Sequence, residues 1–297
     1  MRSDIEVTSP HNKLMFRMTG WEDRRLDLPR RFYDFRISPV DVLLSDVATG
    51  QVQMLPEPTH FRCTMLSPLP EEIFEAHGGI WLLVLAYMVL NRTERQVWQA
   101  LTGKRRIEWL LGRIAAKDAV RLYLRERFNL VLCPADIEIT ANAAGALQVR
   151  GSWVGHVGPV PSLSISHTDG LAIAIAGCDS GGSAIGADVE QIGRFEGDVK
   201  QLVLSAGERK LLADLDGAAN AAWATRLWCA KEAVGKALGT GVIGYSELLQ
   251  VQDVDVRTGR VNVLILPHAL PGVCGVQDCV VAYTSVEGAH AFGTALV

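Results

Sequence analysis

The groups in this chain whose types and spacing could do chemistry are two acidic residues one position apart and, forty residues on, a carboxylate four positions from a lysine. Gly186-Ala187-Asp188-Val189-Glu190 follows a glycine-rich turn and reads as a strand, so alternation puts Asp188 and Glu190 on one face and Val189 in the core. Trp228-Cys229-Ala230-Lys231-Glu232-Ala233-Val234-Gly235-Lys236 lies in a run with apolar residues at helical spacing, which predicts a helix over 221–238 ended by Gly239 and Gly241. Glu232 and Lys236 then share a helix face. Three carboxylates with flanking lysines suit a hard, oxygen-seeking cation such as Mg²⁺ that also holds a phosphate ester. Taken singly the pieces are commonplace: Asp-x-Glu often ends a strand, and a Lys-Glu pair on a helix is more often a solvated face than a site.

Their neighbourhood is more specific. Ser164-Ile165-Ser166-His167-Thr168-Asp169-Gly170 lies just upstream, followed by the alternating Leu171–Ala176. In this order, Ser-x-Ser-His-x-x-Gly, Gly-x-Asp-x-Glu and Trp-x-x-Lys-Glu-Ala-x-x-Lys resemble the 4'-phosphopantetheinyl transferases of the Sfp type, which move phosphopantetheine from coenzyme A to a serine of a carrier protein. The resemblance runs from roughly Gly79 to the C-terminus. It departs at Cys229, where the family usually has Thr or Ser.

The resemblance implies a Mg²⁺ ion held by Asp188, Glu190 and Glu232. It makes Glu232 the candidate general base, directly or through a bound water, although the family does not assign that role uniformly among its carboxylates. Lys231 and Lys236 would pair with the pyrophosphate of coenzyme A, with Lys236 also serving the reacting centre. His167 would meet the 3'-phosphate with Ser166 beside it, and Arg113, Arg106 and Lys117 would complete a basic pocket for the nucleotide end. The implied partner is an acyl or peptidyl carrier protein, or a carrier domain of a polyketide synthase; the implied product is adenosine 3',5'-bisphosphate. Two rival readings use the same residues: a non-catalytic scaffold that holds coenzyme A or a carrier domain, and a Mg²⁺ phosphohydrolase acting on coenzyme A.

The elements that must position these groups read as α+β. Residues 71–98 and 104–128 carry apolar residues at helical spacing. Strands are predicted at 136–140, 147–150, 163–166, 171–176 and 185–190, then at 248–256, 260–266, 279–284 and 289–296. Val89-Leu-Asn-Arg-Thr-Glu94-Arg95 echoes Val203-Leu-Ser-Ala-Gly-Glu208-Arg209, and Trp109 precedes Lys117 as Trp228 precedes Lys236. A duplicated unit explains this, as does a helix-start pattern that two helices happen to share. The expected organisation is an N-terminal extension or linker over 1–75, with strands at Val40–Leu44 and Gln51–Leu55, and two halves over 76–180 and 181–297. Each half would have a small antiparallel sheet and a long helix, related by a pseudo-twofold axis with a ligand cleft between them. The resemblance implies the same architecture. Residues 1–75 also resemble, less specifically, the stretch that precedes such a domain at the end of some polyketide synthases.

Composition narrows the classes further. The 297 residues are 48% hydrophobic and 21% charged, a globular balance, and the formal net charge of −4 offers no general attraction to nucleic acid or an anionic membrane. The Arg and aromatic mixture of 21–36 is interleaved with aspartate and reads as packing. The six cysteines form no Cys-x-x-Cys pair, so reduced thiols are expected and zinc is not. The apolar run Ile80–Leu90 is too short to span a bilayer and no secretory leader is evident, so the expectation is a cytoplasmic protein, with the internal duplication favouring a monomer.

Overall fold

The computed structural model describes residues 2–22, 29–70, 72–75, 80–142, 145–195, 198–215, 220–239, 248–266 and 279–297. The expected helix end at Gly241 and the thiol of Cys274 lie outside these residues. The fold is α+β, built from antiparallel strands and two long helices. In the first half β3 (Asp46–Val47), β4 (Phe61–Leu66), β8 (Leu171–Gly177) and β7 (Ser162–Thr168) form a sheet in the order β3-β4-β8-β7, covered by α5 (Gly103–Phe128). In the second, β10 (Leu249–Asp255), β11 (Arg260–Ile265), β12 (Cys279–Glu287), β13 (His290–Leu296) and β9 (Ile185–Gln191) form a sheet in the order β10-β11-β12-β13-β9, covered by α8 (Asn220–Ala237). The hairpin of β5 (Glu138–Ala141) and β6 (Leu147–Arg150) belongs to the first half. Of the helical stretch expected over 71–98, the described residues carry α2 (Glu72–Glu75), α3 (Ile80–Val89) and α4 (Arg92–Ala100), with a break at Leu90 and Asn91.

Every residue of β8 is buried, because its two faces serve two cores. Ala172, Ala174 and Ala176 pack with Leu111, Ile114 and Val120 of α5. Leu171, Ile173 and Ile175 pack with Ile185, Ala187 and Val189 of β9 and with Phe61 and Phe292, which joins the two sheets. A strand buried on both faces reads as an unbroken apolar run, as this one does.

The N-terminal region is more than a linker. β4 is an interior strand of the first sheet, so a boundary at 75/76 cuts through that sheet. Val40–Leu44 and Gln51–Leu55 are turns and a 3-10 segment, not strands. Residues 39–45 are instead fastened to the buried polar face of α5. Asp118 accepts from the amides of Leu44 and Ser45 at 2.8 and 2.9 Å, and Arg121 donates to the carbonyls of Pro39, Val40 and Val42. Burial pushes the Asp118 carboxyl up, against the pull of Arg121 and these amides. Ahead of this segment come α1 (Arg30–Ile37) and a hairpin of β1 (Arg2–Thr8) and β2 (Leu14–Glu22) that leaves Leu14, Met15, Phe16 and Trp21 exposed.

The duplication is present as a repeated buried device. α4 opens on a capping box between Asn91 and Glu94, and α7 (Ala206–Ala213) opens on one between Ser205 and Glu208. Each glutamate then meets a buried lysine 23 residues later, Lys117 or Lys231. Each ammonium also donates to a carbonyl 28 residues earlier, Val89 or Val203. The other glutamate oxygen caps the amide of Ile139 or Val251 on the first strand of each hairpin, at 3.1 and 2.9 Å. One offset of 114 residues relates Val89 to Val203, Glu94 to Glu208 and Lys117 to Lys231. The expected match of Trp109 and Lys117 with Trp228 and Lys236 is therefore out of register by five residues: Trp109 corresponds to Trp223, and Asp118 to Glu232.

Candidate active site

The site lies on the seam where edge strand β7 of one sheet meets edge strand β9 of the other. Side-chain hydroxyls of β7 make this join. Alternation along the strand puts Ser162, Ser164, Ser166 and Thr168 in one row. Ser162 Oγ and Ser164 Oγ accept from the amides of Ile185 and Ala187, each at 2.9 Å. Ser166 Oγ donates to Asp188 Oδ1 at 2.7 Å, and Thr168 Oγ1 to Glu190 Oε2 at 3.2 Å. The opposite row of β7 faces α5, where His167 lies beside Gly112: a Cβ built at Gly112 would stand 3.9 Å from the His167 ring.

From the second half, α8 lies almost flush on β9 and β13. A Cβ at Gly186 would fall 1.7 Å from the Ala233 carbonyl oxygen, and one at Gly293 2.5 Å from that of Cys229. Only glycine permits so close an approach. It brings Lys236 Nζ to 2.7 Å from Asp188 Oδ1 and 3.1 Å from the Ala187 carbonyl oxygen, near the end of a helix closed by Gly239 in the left-handed conformation.

Negative charge is concentrated here. Burial, reinforced by Asp188 and Glu190, pushes the Glu232 carboxyl up to about 7 despite Lys236. Burial and Asp188 also raise Glu190, while Arg194 opposes them. For Lys236 burial alone would lower the ammonium, but Asp188 and Glu232 outweigh it and the net displacement is upward. His167 is exposed as a residue, yet its ring is crowded enough that burial draws it below the usual imidazole range; Lys236 pushes the same way, and Glu108 and Asp188 oppose.

The donor set fits a small divalent cation. It is all oxygen, it carries excess negative charge, and Asp188 Oδ2 is buried without a hydrogen-bond partner. Among the described residues no three His, Cys, Asp or Glu side chains form a ready-made metal cage.

Residues 184–283, which carry Asp188, Glu190, Lys231, Glu232 and Lys236, match the family model of the 4'-phosphopantetheinyl transferase superfamily. The holo-[acyl-carrier-protein] synthase of Oceanobacillus iheyensis is 34% identical over 86 residues, which are 29% of this chain and 70% of that protein. That of Bacillus cytotoxicus is 34% identical over 88 residues, 29% of this chain and 69% of that protein. The chain belongs to this superfamily. A third relative, the holo-[acyl-carrier-protein] synthase of Levilactobacillus brevis, is 36% identical over 81 residues; the match spans 27% of this chain and 64% of that protein. A crystal structure of a holo-(acyl-carrier-protein) synthase from Bacillus anthracis in complex with CoA (3',5'-ADP) is 23% identical, covering 39% of this chain and 92% of that one with a TM-score of 0.31.

Of the residues picked out by sequence, the structure brings Asp188, Glu190, Glu232, Lys236 and Ser166 to one seam, with His167 on the opposite row of β7, close enough to feel Lys236 and Asp188. Ser166 acts there through Asp188, its buried hydroxyl turned to that carboxylate. Two assignments are corrected. Lys117 and Lys231 are 0% and 1% exposed and are bound to Glu94 and Glu208, so neither ammonium can line a pocket for coenzyme A. Burial draws Lys117 down to about 8 even with Glu94 beside it. Arg106 and Arg113 stack on Trp98 and Trp109, at 3.9 and 4.4 Å from the ring centres. Among the charges that act on the His167 ring are those of Glu108 and Lys104 on α5. Sequence reasoning passed over Thr168 and Arg194, although the row Ser-x-Ser-x-Ser-x-Thr from 162 to 168 is a visible alternation of hydroxyls.

Proposed function

We propose that this protein transfers 4'-phosphopantetheine from coenzyme A to a serine of an acyl or peptidyl carrier protein in a Mg²⁺-dependent reaction. The observation that carries this reading is the convergence of Asp188, Glu190, Glu232 and Lys236 on one seam, within the stretch shared with the superfamily. Asp188, Glu190 and Glu232 would hold the ion, which when bound neutralises the pyrophosphate and polarises the reacting phosphorus.

The chain's own groups do the rest. Lys236 holds Asp188 and presents its remaining protons to the pyrophosphate. His167 contacts the 3'-phosphate. Glu232 takes the serine proton, directly or through a bound water. The serine oxygen bonds to the β-phosphorus as the bond to the bridging oxygen breaks, and the electron pair leaves on adenosine 3',5'-bisphosphate. Both sides of the seam come from one chain, so the reading includes a monomer. The free thiols at Cys63, Cys133, Cys178, Cys229 and Cys279 agree with a reducing compartment such as the cytoplasm.

Incubation with coenzyme A, Mg²⁺ and an apo carrier protein, read by intact mass, tests the reading. The expected result is one added phosphopantetheine on the carrier. Folded Asp188→Ala should be inactive, and Glu232→Gln should lose at least ~10²-fold in rate. Coenzyme A binding without transfer by the wild type would leave only a scaffold.

A further inference from the structure

Glu190 is already partnered. The chain turns back after β9 through Gly193, which lies at φ 91°, and this carries Arg194 over the preceding carboxylate. Arg194 Nη1 stands 2.7 Å from Glu190 Oε2 and 3.3 Å from Thr168 Oγ1, while Thr168 donates to the same oxygen at 3.2 Å. Arg194 is half open to solvent, whereas Glu190 is mostly covered. Asp188 is held in the same manner, with Lys236 and Ser166 sharing one oxygen and the other left buried and unpartnered, but Lys236 is far more covered than Arg194. Each carboxylate is thus held on one oxygen by a cation and a hydroxyl, and the cation on Glu190 is the solvent-exposed one.

We propose that Arg194 is a latch on the cation site: it occupies Glu190 until a divalent ion displaces it, and so sets the affinity of the site for that ion. The proposal rests on the metal reading given above. An ion recruited by Glu190 competes with the guanidinium for that carboxylate, and Arg194, 53% exposed against 26% for Lys236, is the cation placed to give way. The pair is partly exposed, which makes it a contact that can open rather than a fixed strut.

The test needs no turnover and no coenzyme A. Mn²⁺ is titrated by electron paramagnetic resonance into the full chain and its variants, with circular dichroism as a check on folding. Arg194→Gln should bind Mn²⁺ about fivefold more tightly. In a Glu190→Gln background that gain should disappear, because the latch acts through Glu190; a gain of equal size there would mean that only the general field had changed, and would overturn the proposal. No gain in Arg194→Gln alone overturns it as well. Asp188→Asn separates the two layers of inference. If it loses Mn²⁺ while Arg194→Gln has no effect, the latch fails and the metal site stands; if it binds like the wild type, the metal reading and the latch fail together.

Discussion

Glu232→Gln tests how the site is held together in the absence of metal. A carboxyl that titrates at 4.5 in an open chain is pushed up to about 7 in the fold, first by burial and then by Asp188 and Glu190. Between those values the folded protein keeps a proton that the unfolded chain releases, so stability falls as pH rises through the window, and the whole cost is present above 7. A displacement of that size corresponds to about 3 kcal/mol. Glutamine keeps the shape and discards the charge. In EDTA at pH 8 the variant should therefore be more stable than the wild type by about 2–3 kcal/mol, and most of the gain should be gone by pH 5. Urea unfolding followed by tryptophan fluorescence at the two pH values measures this. A gain of the same size at both, or a loss at pH 8, would refute the picture of three crowded carboxylates. The same variant should be the poorer transferase, as expected where a site is charged at the expense of stability.

Three further changes probe other parts of the argument. Lys231→Met leaves Glu208 buried without its partner and should cost about 3–5 kcal/mol, a fall in Tm on the order of 10 °C, with coenzyme A affinity of the folded protein unchanged; a selective loss of affinity at normal Tm would restore the pocket assignment. Gly186→Ala drives a methyl group into the Ala233 carbonyl and must lift α8 from β9, so transfer should fall at least ~10-fold together with Tm; wild-type rates would show that the close approach is not needed. His167→Ala should raise the coenzyme A requirement by about 1.5–3 kcal/mol while sparing the maximal rate, and dephospho-coenzyme A should make variant and wild type alike. A variant that still prefers coenzyme A strongly would show that another group reads the 3'-phosphate.

Much of the scaffold was legible because alternation and helical spacing survive into the fold. α5, α8 and the strands from β5 to β13 fall within a few residues of expectation. Depth was not legible. Lys231 is next to Glu232, and a helical pattern assigns it a direction but does not say that the direction ends inside a core beside Glu208. β4, Phe-Arg-Cys-Thr-Met-Leu, escaped because both of its faces are covered, Phe61 and Cys63 by one core and Leu66 by the other, so it need not alternate. Val40–Leu44 looked extended, but its carbonyls and amides are claimed by Arg121 and Asp118 from 73 to 82 residues away, a pairing that no local pattern announces. The carboxylate face of β9 was visible through Gly-x-Asp-x-Glu, but its guanidinium partner lies just beyond the motif.

The equivalence of Asp118 and Glu232 has an evolutionary consequence. In an assembly of identical subunits every substitution appears in all copies, so a residue needed at one interface is imposed on its symmetry mate. A tandem chain escapes that constraint. Here the position that follows the buried lysine has diverged: Glu232 remains at the charged seam, while its counterpart Asp118, a methylene shorter, ties down the backbone of an upstream segment. Within one chain, two positions related by the same 114-residue offset are free to take separate roles, one at the charged seam and one in fastening residues 39–45.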